Sequence, residues 1–186
     1  MYTLNENHQA LQSQHMITNA LLSLMATYTY EEITITQICQ EAQVSRQTFY
    51  RNFEFKNDIL EFHLDNIIHG YTSTFPNNNH TDTYQHLYGL FVYLQSYKDF
   101  LKLLKQNNLF FLLNKAIVAN ILNSFNTSNL IYSDKERNLN SYVSDFIAST
   151  ICSIISRWVE NNFKESSQTL AKLMRKFLSA IHGWQA

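Results

Sequence analysis

Three glycines and one proline, Pro76, are all the turn punctuation that 186 residues carry. Hairpins and tight strand connections need residues that accept positive φ, so the chain cannot supply a β-sandwich or a doubly wound sheet, and an all-α fold follows. Positive charge is as scarce in the first half. Up to Tyr97 only Arg46, Arg51 and Lys56 oppose nine acidic residues, whereas eleven basic residues face six acidic ones from Lys98 onward. With a net charge of −1, bulk positive charge is excluded as the means of holding a nucleic acid. The two cysteines, Cys39 and Cys152, stand far apart in apolar stretches, which suits small buried side chains rather than a disulfide or a metal pair. No apolar run reaches bilayer length and no basic segment precedes an apolar core at the N-terminus, so a cytoplasmic protein with no membrane partner is expected. Paired carboxylates, a nucleophile–base set and a Gly-rich phosphate loop are also missing, which argues against an enzyme and against a cofactor. His63 and His69, like His80 and His86, are six residues apart and miss a common helical face, so no metal is expected.

What the chain does have is apolar content, 45% of residues with 14% aromatic, enough for a real core. Its spacing divides the sequence into about nine helices. Ile17, Leu21, Leu24 and Tyr28 mark a first helix from about Leu11 to Thr27. Ile33-Thr34-Ile35-Thr36 alternates as a strand would, but Thr34 and Gln37 make a capping box, and Ile35, Ile38, Cys39 and Ala42 then fall at helical spacing. A short helix over Ile35–Ala42, a turn at Gln43-Val44 and a third helix capped by Ser45 and ending near Asn52 complete a helix-turn-helix unit. A longer helix from about Asn57 runs to the break at Pro76-Asn77-Asn78-Asn79. Helical faces follow around Leu87–Leu94, Asp99–Gln106 and Leu109–Phe125, then a polar loop from Asn126 to Asp134. Two closing helices are expected, Asn138–Asn161 and a Ser166-capped one through Phe177 and Ile181.

The third of these helices carries the chemistry. Phe49 and Phe53, four apart, must face inward, which leaves Arg46, Gln47, Thr48, Tyr50 and Arg51 outside. Such side chains suit a duplex: arginine forks onto guanine, glutamine onto adenine, and hydroxyls hold phosphate oxygens without charge. All three basic residues of the first ninety-seven lie between Arg46 and Lys56, so positive charge is concentrated where a groove would be.

From about Ala10 to Leu60 the sequence resembles the tetracycline-repressor family of bacterial transcription regulators. The resemblance rests on Tyr30-Glu31-Glu32-Ile33-Thr34-Ile35, Ile38, Ala42, Val44-Ser45, Thr48-Phe49-Tyr50-Arg51-Asn52-Phe53 and Lys56-Asn57-Asp58-Ile59-Leu60. The run Ser45-Arg46-Gln47-Thr48-Phe49-Tyr50-Arg51 is similar to the branch that includes regulators of dihydroxyacetone kinase operons. The resemblance implies a DNA-binding domain over 8–56 and a helical effector-binding and dimerisation domain over 57–186. It further implies a homodimer, commonly a repressor, on a palindromic double-stranded operator, modulated by an unknown small-molecule or protein effector. Ser45, Thr48, Tyr50 and Lys56 match positions that grip phosphates, Thr34 the cap that lays the second helix on the backbone, and Arg46 and Gln47 positions that reach base edges. The chain departs from the family where Gln43 and Gln47 replace common glycines, where Asn52 stands for a frequent histidine, and in an arm of Asn5, Asn7, Gln9, Gln12 and Gln14 instead of lysine and arginine.

Later in the chain, Phe146-Ile147 through Ser166 is similar to the penultimate helix and turn that family members use to dimerise. The dimer interface expected from it comprises Phe146, Ile147, Ile151, Ile154, Trp158, Leu170, Met174 and Phe177, with small residues such as Ser149 and Ser153 allowing close approach. Aromatic residues of the central helices, Tyr71, Tyr88, Phe91, Phe110 and Phe111, are the candidates for an effector pocket. An alternative reading, suggested by the acidic first half and the uncharged arm, is a helical protein–protein interaction module or co-regulator with weak or no DNA binding of its own.

Overall fold

The computed structural model describes residues 8–75, 83–127 and 140–182. Pro76–Asn79, His80, Asn5, Asn7 and most of the loop expected over 126–134 lie outside the described residues. The remainder is helical: α1 (His8–Met25), a 3-10 turn (Tyr30–Glu32), α2 (Ile35–Glu41), α3 (Arg46–Asn52), α4 (Lys56–Thr74), α5 (Thr83–Gln95), α6 (Lys98–Gln106), α7 (Phe110–Thr127), α8 (Asn140–Glu160) and α9 (Ser167–His182).

The starts of these helices follow from local side-chain chemistry. Thr34 Oγ1 accepts from the Gln37 amide at 3.2 Å while Gln37 Oε1 accepts from the Thr34 amide at 2.8 Å, so the capping box wins over the strand-like alternation of its neighbours. Ser45 and Ser166 cap α3 and α9 by accepting from the amides of Thr48 (3.0 Å) and Thr169 (3.1 Å). At α4 the bond runs the other way: buried Asp58, in the first turn, accepts on Oδ2 from the preceding Glu54 and Phe55 amides at 2.9 and 2.8 Å.

With so little glycine, the chain turns on other residues. Gln43, Asn108, Asn162 and Phe163 adopt φ of 55°, 57°, 52° and 57°. Behind the first three, amides reach back five residues, Val44 to Cys39 at 3.0 Å, Leu109 to Leu104 at 2.8 Å and Phe163 to Trp158 at 2.8 Å. These closures satisfy terminal carbonyls, as a glycine C-cap would, at a steric cost of roughly 1–2 kcal/mol per left-handed residue.

Packing sets where the halves meet. The helices α1, α2 and α3 close over Ile17, Leu21, Ile38 and Phe49, all fully buried, with Phe53 beside them. Ring contacts continue from Phe49 to Phe53 at 6.2 Å and to Phe62 of α4 at 5.7 Å, so α4 belongs to both halves. Further on, α4 packs on α7, α7 on α8, and α5 on α9, while α6 touches both α1 and α8. Polar ties reinforce this. The Tyr30 amide donates to Asn107 Oδ1 at the end of α6 at 2.7 Å, and Lys105 of α6 reaches Ser156 Oγ and Glu160 Oε1 of α8, each at 2.7 Å.

The seam between α1, α4 and α6 holds His63, whose ring stands edge-on to Phe100 at 4.6 Å. Burial, with a smaller contribution from His15, lowers its pKa from 6.5 to about 4. Because the folded-state pKa lies below the unfolded one, the unfolded chain binds more protons between these values. Stability is therefore whole above pH 6.5 and falls as pH drops toward 4, by up to about 3 kcal/mol. Urea unfolding between pH 7 and 4.5 should show this loss, and the H63F variant should show a slope shallower by about one proton; an unchanged slope would remove His63 as its source.

Candidate nucleic-acid interface and effector cavity

Each face of α3 is assigned by its own packing. Fully buried Phe49 and nearly buried Phe53 pin the inner face, which leaves Arg46, Gln47, Tyr50 and Arg51 exposed on one short helix, with Thr48 half-buried beside them. Tyr50 is 58% exposed although its ring edge rests on Phe49 at 5.4 Å. Ser45 and Thr34 are exposed at the two helix starts, and each hydroxyl already has a partner within its own cap.

Two of the sequence-selected residues are engaged in ways their spacing does not reveal. Arg46 Nη2 donates to Thr36 Oγ1 of α2, so the guanidinium lies against the neighbouring helix. An exposed bond of that kind is worth only about 0.5–1.5 kcal/mol and exchanges readily for a better acceptor. Lys56 donates to the Ile33 carbonyl at 2.8 Å and to that of Tyr30, with its ammonium 4.1 Å above the Tyr30 ring. Burial lowers its pKa, opposed by the charge of Glu31. Two of its three N–H donors thus hold the 3-10 turn that seats α2, and one remains for a phosphate. Asn52, which stands for the family's frequent histidine, is buried and donates to the Thr48 carbonyl at 2.8 Å.

A second feature is a cavity of about 280 Å³ enclosed by α4, α5, α7 and α8. Of the five aromatics expected there, only Tyr71 lines it. Tyr88 is exposed and stacked on Tyr84 at 6.2 Å. Phe91 is fully buried and turned to Trp158 at 5.5 Å. Phe110 and Phe111 border an open outer groove with Asn114, Ser149 and Arg157. The walls not expected from the sequence include His86, Leu90 and Tyr93 on α5, Ile117 and Asn120 on α7, and Ile147, Ile151 and Ile155 on α8. Their three- and four-residue spacing was legible, but spacing does not distinguish a stripe that closes on another stripe from one that faces a void.

The same packing places the residues expected at the dimer interface. Ile147 and Ile151 are cavity walls, and Ile154 packs half-buried on the core. Trp158, Leu170 and Met174 are 1%, 6% and 5% exposed within the subunit, because the apolar girth of α8 is covered by α6 and α7 and that of α9 by α5. Phe146 and Phe177 do lie outside, at 61% and 62%, joined by Tyr142 and Leu173, which had not been selected.

Among the described residues no group of three or more histidine, cysteine or acidic side chains is arranged to hold a metal ion, and no helix is long and apolar enough to cross a membrane.

Residues 17–61 match the family model of bacterial regulatory proteins of the tetR family, and residues 81–180 that of a transcriptional regulator C-terminal region, TetR_C_8. No curated protein matches the sequence. Among solved structures, Lin0861 from Listeria innocua is similar in fold with a TM-score of 0.80 at 17% identity, covering 96% of each chain. A TetR transcriptional regulator from Streptococcus agalactiae gives 0.59 at 16% identity, over 89% of this chain and 92% of that one. A dihydroxyacetone kinase operon activator, DhaS, gives 0.49 at 22% identity over 90% and 94%.

Proposed function

The chain belongs to the tetracycline-repressor family of bacterial regulatory proteins, a DNA-binding transcriptional regulator rather than an enzyme, and from that premise we propose a dimeric repressor that an effector releases from a palindromic operator. The observation that carries the DNA-reading part is α3: Phe49 and Phe53 anchor it, Ser45 caps it, and Arg46, Gln47, Tyr50 and Arg51 stand exposed. In a dimer the two copies of α3 would enter successive major grooves, roughly 34–36 Å apart. The exposed apolar residues Phe146 of α8 and Phe177 of α9, with Tyr142 and Leu173, supply the contact between subunits. The effector enters the cavity between α4 and its neighbours. Since α4 begins at Lys56, which holds the 3-10 turn, and passes the cavity at Tyr71, an effector that favours a different seating of α4 alters the spacing of the recognition helices.

Arg46→Ala and Gln47→Ala should each relax sequence preference by about 1–3 kcal/mol at one base pair, with little change on random duplex. A gel shift with the promoter beside its own gene, set against random DNA across a salt series, tests both the function and these roles. Equal retention of both duplexes by the unmodified protein would sink the reading. Uniform weakening by Arg46→Ala would move that residue from the bases to the phosphates.

A further inference from the structure

On the regulatory reading of the cavity, its lining specifies the chemistry of the effector. Of the fifteen residues that line the cavity, eleven are isoleucine or leucine, and none is lysine, arginine, aspartate or glutamate. An ion placed there would exchange its hydration for aliphatic carbon with no opposite charge to meet it, at a cost of several kcal/mol. The polar exceptions are Tyr71, His86, Tyr93 and Asn120, and the first three are gathered on one stretch of the wall. Tyr71 lies 5.4 Å from the His86 ring and 5.6 Å from that of Tyr93. The Tyr71 hydroxyl is engaged, donating to the His86 carbonyl at 3.0 Å, while the Tyr93 hydroxyl shares a 3.2 Å bond with that of Tyr97, in which either atom could donate. Burial lowers the pKa of His86 and pushes that of Tyr93 up to about 12, so this stretch of the wall is neutral near pH 7. The volume, about 280 Å³, falls just below the ~300–1,000 Å³ span of ligand pockets, which calls for a compact occupant.

We propose that the effector is an uncharged, compact apolar molecule of one or two rings or equivalent bulk, carrying a single hydrogen-bonding group that is met at the Tyr71–His86–Tyr93 stretch. Tyr93 is the residue that reads this group. Tyr93 lines the cavity while its hydroxyl sits against the α4 backbone, where a Cβ at Gly70 would come within 2.4 Å of it, so the glycine provides the space that this hydroxyl occupies at the cavity wall.

The test uses the full chain and three probes of matched shape: naphthalene, 1-naphthol and 1-naphthalenesulfonate, read by displacement of the neutral two-ring fluorophore 1-naphthylamine. We expect saturable binding of the fluorophore at one site per chain, with 1-naphthol displacing it at least ~10-fold better than the sulfonate. The advantage of 1-naphthol over naphthalene, expected to be several-fold, should vanish in Tyr93→Phe. Ile117→Trp, which fills the cavity, should abolish fluorophore binding. Gly70→Ala, which pushes Tyr93 off α4, should weaken it as well, and circular dichroism shows whether each variant is folded. Displacement by the sulfonate as strong as by 1-naphthol, or fluorophore binding that persists unchanged in both folded variants, overturns the inference whatever the operator assay gives. Because no DNA enters this measurement, an absent operator in the gel shift would instead defeat the regulatory reading and leave the cavity's selectivity standing.

Discussion

Trp158→Ala should lower unfolding free energy by about 3–5 kcal/mol, the range for emptying a large aromatic from a closed core. Trp158 is 1% exposed, stands edge-on to Phe91 at 5.5 Å and to Phe163 at 4.8 Å, and donates from Nε1 to the Glu165 carbonyl at 2.8 Å. Its loss removes the ring that joins α5 to α8, leaves that carbonyl unpaired, and deprives the left-handed Phe163 turn of the surface that holds it. A total stability of 5–15 kcal/mol is usual for a domain, so a change of this size leaves little reserve. Urea unfolding with a fluorescence-independent readout such as circular dichroism measures it. A midpoint equal to that of the unmodified protein would overturn the placement of Trp158 inside the subunit.

The second large effect belongs to the outer surface. Phe146→Asp combined with Phe177→Asp should leave the subunit folded, since both rings are more than half exposed, yet convert the proposed dimer to monomers. Two aromatic anchors at a subunit interface contribute about 2 kcal/mol or more each, so dissociation should strengthen by roughly 10³-fold, and operator affinity should fall with it by about 10²–10³-fold. Sedimentation at micromolar protein and a gel shift report the two quantities. A variant that remains dimeric would move the contact elsewhere, the open groove bordered by Phe110 and Phe111 being one further candidate.

These variants separate residues that the sequence presents alike. Phe146, Ile147, Ile151, Trp158 and Phe177 are all large apolar residues at helical spacing, yet two are exposed, two line a cavity and one is sealed in the core. Periodicity shows that a residue is apolar and which neighbours share its stripe, but not what covers the stripe. The recognition unit was far more legible because its determinants are local. Thr34 with Gln37, Ser45 with the Thr48 amide, and the left-handed Gln43 between them act over three to five residues, and each expectation about them agrees with the structure. Lys56 marks the boundary of that legibility. Its partners, the carbonyls of Tyr30 and Ile33, are more than twenty residues away, so its part in seating α2 could not be read from its own surroundings.

The scarcity of glycine and proline determined by itself that this protein is all-α, and local capping with the inward pair Phe49 and Phe53 determined which face of α3 is left exposed for the proposed reading of DNA, because those effects depend on backbone sterics and short-range hydrogen bonds. Only the tertiary structure decided which stripes are core, which enclose the cavity and which stay outside for a partner, because that outcome depends on how helices distant in sequence close over one another.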